Sequence, residues 1–73
     1  MSSGTSHITL CLLDGTIIRA RIMHPDMYIR IIKDGGRVFW SPLTPIPDKY
    51  HDGFGFRFPE GSIMSITIAP SND

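Results

Sequence analysis

Seventy-three residues make one small domain, and a chain of this size buries only about 60% of the surface its unfolded form exposes, which leaves little room for a deep catalytic cleft. Hydrophobic residues are 41% of the chain, and seven Lys and Arg balance seven Asp and Glu, so the composition is globular and lacks the basic excess of a general nucleic-acid binder. Cys11 is the single cysteine, which excludes an internal disulfide and the paired thiolates of a structural zinc site and suits a reducing cytoplasm.

Residues 1–6 read as a polar tail, without the basic start and apolar run of a secretory leader. No apolar stretch approaches the ~20 residues that span a membrane. A single β domain is expected over residues 7–70, with a second short tail over 71–73.

The first predicted element is a hairpin. Ile8, Leu10 and Leu12 alternate with Thr9, Cys11 and Leu13, and beyond Asp14-Gly15 a second run alternates Ile18, Ala20 and Ile22 with Ile17, Arg19 and Arg21. A two-residue turn would pair Leu13 with Thr16 and set both arginines on the apolar face. A three-residue loop, Leu13-Asp14-Gly15, pairs Leu12 with Thr16 and gathers all six apolar residues on one side. The second register is the consistent one, because a one-residue slip flips every side chain. It needs Gly15 in a left-handed bulge, which glycine permits.

After a short link at His24-Pro25-Asp26, a second hairpin is expected from Met27 to Trp40. Its turn would be Gly35-Gly36, with Ile29, Ile31, Val38 and Trp40 on one face. Residues 41–53 form a longer link stiffened by Pro42, Pro45 and Pro47, with one helical turn near Asp48 to His51. A third hairpin runs through Phe54, Phe56 and Phe58, turns at Pro59-Glu60-Gly61, and returns through Met64, Ile66 and Ile68. Its pairing would set Phe58 against Ser62, Phe56 against Met64 and Phe54 against Ile66. Nothing sustains a 3.6-residue apolar period, so no long helix is expected. Three hairpins can bury their apolar faces only by curling. The expected fold is therefore all-β: a strongly bent antiparallel sheet or small SH3-like barrel of five to six strands.

The chemistry of catalysis is mostly missing from the pattern. His7, His24 and His51 are far apart and lack metal-ligand spacing. Cys11 lies mid-strand with no helix N-terminus to activate it. Glu60 sits in a turn, and no carboxylates pair at acid–base spacing. Asp34-Gly35-Gly36 lacks the following helix and Lys-Ser/Thr pair of a phosphate cradle. Pro42-Leu43-Thr44-Pro45 matches PxxP but reads as a rigid loop. No enzyme, cofactor or metal is expected.

The charge layout says more than the totals. All seven acidic residues fall in predicted turns, loops or the tail, whereas Arg19, Arg21, Arg30 and Arg57 fall inside predicted strands. In the favoured register Arg19 and Arg21 share the outward face with Thr9, Cys11, Leu13 and Ile17. A solvated sheet face is one reading. A contact surface for an acidic-apolar protein is the other, since arginine is enriched at interfaces. Thr9, Leu13, Ile17, Arg19 and Arg21, together with Arg30 and Trp40, are the candidate partner-binding residues.

From Ile8 to Ile32 the chain resembles the first motif of Sm-like proteins. The likeness runs through Leu13-Asp14-Gly15-Thr16-Ile17-Ile18-Arg19-Ala20-Arg21-Ile22 and Asp26-Met27-Tyr28-Ile29-Arg30-Ile31, and more faintly through Gly61 to Ile68. The resemblance implies a small SH3-like barrel, and for the family a ring that binds RNA. Arg30 stands where the family carries its RNA-contacting asparagine, Ala20 stands at its glycine, and Phe56-Arg57-Phe58-Pro59 fills the region of its later Arg-Gly pair. The likeness therefore implies the topology more than the RNA contact. In size, neutrality and freedom from cofactor motifs the chain also resembles small phage-encoded regulators that bind host enzymes, including host RNA polymerase. That likeness implies a transcription inhibitor or antiterminator. The expected function is a non-enzymatic, cytoplasmic protein-binding regulator, monomeric in preference to a ring, with an Sm-like RNA-binding ring as the alternative.

Overall fold

The computed structural model describes residues 5–70; of the expected tails over 1–6 and 71–73, residues 1–4 and 71–73 lie outside them. Thr5 and Ser6, expected in the first tail, already belong to the first strand. The elements are β1 (Thr5–Leu12), β2 (Ile17–Met23), α1 (Pro25–Lys33), β3 (Arg37–Val38), β4 (Ser41–Pro42), a 3-10 turn (Asp48–Tyr50), β5 (His51–Asp52), β6 (Gly55–Arg57) and β7 (Ile63–Pro70). They form two antiparallel sheets, one in the order β4-β2-β1-β7 and one in the order β3-β6-β5. The fold is all-β with one short helix. Its strands number seven among the described residues, because β3, β4 and β5 are two-residue segments.

The first hairpin has the three-residue loop. Cys11 pairs with Ile17 and Leu10 with Ile18, the Leu12 N–H donates to the Thr16 carbonyl, and Gly15 takes φ 92°. Ile8, Leu10, Leu12, Ile18, Ala20 and Ile22 are all buried. The 3-10 turn also falls where a helical turn was expected.

The middle hairpin is corrected: residues 25–33 form a helix. Pro25 stands in its first turn with φ preset, Asp26 complements the positive N-terminal end, and Arg30 and Lys33 complement the negative C-terminal end. Tyr28, Ile31 and Ile32, spaced by three and four, turn toward the core. The Asp34-Gly35-Gly36 segment closes the helix and makes no hairpin. The Gly36 N–H reaches back to the Ile31 carbonyl and the Gly35 N–H to the Ile32 carbonyl, with Gly35 left-handed at φ 75°. That is the Schellman arrangement. The same glycines serve a tight turn or a helix stop, and the apolar run from Met27 to Ile32 satisfies a period of two or of 3.6 almost equally.

The third hairpin is corrected as well. The Pro59–Ser62 turn forms, with the Ser62 N–H on the Pro59 carbonyl, but the strands on either side enter different sheets. β6 pairs with β5 and β3, while β7 pairs with β1. The turn is therefore a corner between sheets. Phe54 leaves the core altogether and stands 98% exposed in the β5–β6 turn. Phe56 and Phe58 stay buried, and with Ile46, Tyr50, Val38 and Ile32 they fill the space between the sheets.

Candidate functional site

The outward side of the four-stranded sheet is built by alternation. With Ile8, Leu10, Ile18 and Ala20 turned inward, their neighbours Thr9, Cys11, Ile17, Arg19 and Arg21 must turn outward. Register sets Thr9 between Arg19 and Thr67, His7 between Arg21 and Ala69, and Cys11 between Ile17 and Ser65. Arg19 and Arg21 are exposed, and two residues along one strand face separate their Cα atoms by about 7 Å. Ile17 and Leu13 continue the face at the hairpin end, 57% and 66% exposed. No acidic residue occurs in β1, β2 or β7.

The backbone under Arg19 is held by the proline-rich link. The Leu43 N–H donates to the Arg19 carbonyl at 2.7 Å, and the Arg19 N–H donates to Thr44 Oγ1 at 3.0 Å. β4 then pairs Ser41 with Arg21 and Pro42 with Ala20. Pro42 has no N–H and fits only on such an edge. The PxxP segment is thus consumed in covering the outer edge of β2.

Two of the expected site residues lie elsewhere. Arg30 is exposed on α1, because its segment is helical. Trp40 follows β3 and is half-buried, with its ring 6.2 Å from Tyr28, 6.4 Å from Phe56 and 5.9 Å from Phe58. Its indole N–H has no hydrogen-bond partner among the described residues, and the same holds for the buried Nε2 of His7. The structure brings together Thr9, Ile17, Arg19 and Arg21, with Leu13 at their margin, and leaves Arg30 and Trp40 out.

A polar cluster that the sequence pattern does not signal sits beside the hairpin turn. Asp14 accepts hydrogen bonds from the Thr16 N–H at 2.9 Å, from Lys49 Nζ at 2.7 Å and from the Tyr50 hydroxyl at 2.9 Å. The Lys49 ammonium above all, then the Thr16 and Tyr50 donors, hold its carboxyl well below the usual carboxylate range. Asp14 in turn raises the ammonium of Lys49. Burial, then Asp14, raises the phenol of Tyr50. The cluster ties the 3-10 turn to the first hairpin. Its groups are bonded to each other in a structural clamp.

His7, His24 and His51 fall on β1, before α1 and on β5. Among the described residues no three His, Cys, Asp or Glu side chains gather as a metal site would require, and no helix is long and apolar enough to cross a membrane. Cys11 is a free thiol, half-buried in the outward face. No protein-family model matches this chain, and no match is found among curated proteins or solved structures.

Proposed function

We propose that this protein is a non-catalytic regulator that binds an acidic-apolar surface of another cytoplasmic protein through the outward face of β1 and β2. The observation that supports the reading is the pair Arg19 and Arg21 on an exposed strand face, with Ile17 and Leu13 exposed at its end and no acidic residue in the strands that form it. Arg19 and Arg21, with Cα atoms about 7 Å apart, put two guanidinium groups on one face, and a guanidinium fork matches the carboxylates of an acidic partner segment. The aliphatic margin adds apolar burial that a purely electrostatic site lacks. Each charge-assisted contact contributes about 1.5–3 kcal/mol where the partner excludes water, and much less at a wet rim.

The test is a paired pull-down from lysate with wild type and the Arg19→Ala/Arg21→Ala variant, followed by affinity measurement on the recovered protein. Host RNA polymerase is the first target to assay. The double variant is expected to fold normally, since exposed substitutions shift stability by under about 0.5 kcal/mol, and to bind at least about tenfold more weakly. Unchanged affinity in a folded double variant rejects this face as the binding site. Binding to short U-rich RNA that weakens steeply with salt, in the absence of any stoichiometric protein partner, assigns the function to an Sm-like RNA binder instead.

A further inference from the structure

The two edges of the four-stranded sheet are treated differently. The β2 edge is covered by β4 and by the Leu43 and Thr44 contacts with Arg19. The β7 edge is open: β7 pairs with β1 on one side, and among the described residues no strand pairs with the other. A long open edge is a template for strand addition, and proteins usually blunt it with charge. Residues 62–70 contain no charged side chain at all. Ile63, Ile66 and Ile68 pack on the core yet remain half-exposed beside that edge. A pocket of about 360 Å³ opens along the same strand, lined by Ile32, Pro59, Ile63, Met64 and Ile66 among others, with Lys33 and Glu60 also in its wall.

We propose that β7 is the interface of a symmetric dimer, in which two copies of this chain pair their β7 strands antiparallel about a two-fold axis at Thr67. The occupant follows from the strand itself. An isologous contact requires a self-complementary surface, and β7 is self-complementary in one register. Pairing Thr67 with Thr67 of the other copy sets Ile66 against Ile68, and Ser65 against Ala69. The isoleucines then meet on the core side, and the small residues Ser65, Thr67 and Ala69 on the outer side. Odd shifts would oppose isoleucine to serine or threonine across the pleat. Centring on Ile66 would run the pairing into the irregularity opposite Cys11 and Leu12, and centring on Ile68 would carry Pro70, which has no N–H, further into the ladder. The Thr67 register uses the regular part of the strand and sets threonine against threonine, a stabilising pair across antiparallel strands. Charge does not oppose the contact. The edge is uncharged, and the chain's formal net charge is zero, so no long-range repulsion separates two copies. The second Ile68 packs beside Ile66 at the margin of the pocket, and the two sheets become one.

Light scattering and sedimentation over a dilution series are expected to show a dimer that dissociates on dilution. Thr67→Lys places two ammonium groups opposite each other at the axis, and is expected to raise the dissociation constant at least about a hundredfold with an unchanged circular dichroism spectrum, since Thr67 is exposed. A second experiment stands if that variant fails to fold. In a Cys11→Ser background, Thr67→Cys is expected to form a disulfide-linked dimer under mild oxidation, because residues opposite each other across an antiparallel pair have Cβ atoms about 4.5–5.5 Å apart. Leu13→Cys in the same background, on an exposed hairpin turn, is the control expected to cross-link slowly. A wild-type monomer at the highest soluble concentration overturns the proposal. A dimer in which Thr67→Cys links no faster than Leu13→Cys overturns it too, as does a hexameric or heptameric ring.

Discussion

Asp14 shows how a residue read as turn chemistry can hold distant parts of the chain together. Its carboxylate caps the Thr16 N–H two residues on, and it also binds Lys49 and Tyr50 on the far side of the sequence. The depressed carboxyl carries a sign. A group whose folded pKa lies below its unfolded value of about 3.9 stabilises the protein fully above that value, and the contribution is lost as pH falls toward the folded pKa. Lys49 and Tyr50 are raised, so their contribution holds at neutral pH and disappears as pH climbs through the folded values, beyond the ordinary range of each group. Asp14→Asn is therefore expected to lower the urea midpoint at pH 7 and to bring the variant and wild type closer together at pH 3. Parallel pH profiles for the two proteins would refute the clamp. The sequence gives no hint of this contact, because periodicity reports which face a residue takes and not which loop meets it.

At the scale of the element, legibility follows how many local rules agree. In the first hairpin strict alternation on both arms, the Asp-Gly turn and the position of the arginines all select one register, and the structure has it. Over residues 27–36 the rules divide. β-branched residues and two glycines favour a hairpin, while Pro25, Asp26, Arg30 and Lys33 are placed as for a helix, and tertiary packing of Ile32 decides. The Pro59–Gly61 turn was legible but its strands were not, since a corner between sheets and a hairpin use the same residues. The face carrying Arg19 and Arg21 was legible because it rests on the first hairpin. Arg30 departs from its expected strand because it rests on the second hairpin, whereas Trp40 still packs on the core with Ile31 and Val38. The helix reading has its own test. Gly35→Ala meets no close neighbour, its nearest contacts being Glu60 atoms at 3.8 Å, but it forces an alanine into φ 75°. It is expected to cost about 1–2 kcal/mol in denaturant unfolding. A neutral result would remove the left-handed cap.

At the scale of the molecule, the two sheets share one interior, and Phe58 joins them. It is 1% exposed, with its ring 5.9 Å from Trp40 and 5.2 Å from Tyr50. Phe58→Ala is expected to cost about 3–5 kcal/mol, comparable to the whole stability of so small a domain. Thermal unfolding should then show a broad, low transition or none. A sharp transition within a few degrees of wild type would mean that the sheets are stabilised separately. The pairing of β1 with β7 has a further, kinetic consequence. Ser6 lies opposite Pro70, so the central strand of the larger sheet finds one of its two neighbours almost a full chain length away. That loop closes at an entropic cost before any contact rewards it, which places folding on the slow side for this size, in milliseconds to seconds. During synthesis the β1–β2 hairpin forms early and must wait with one flank of β1 bare until β7 has left the ribosome. Any other extended chain nearby in that interval competes for the same hydrogen bonds.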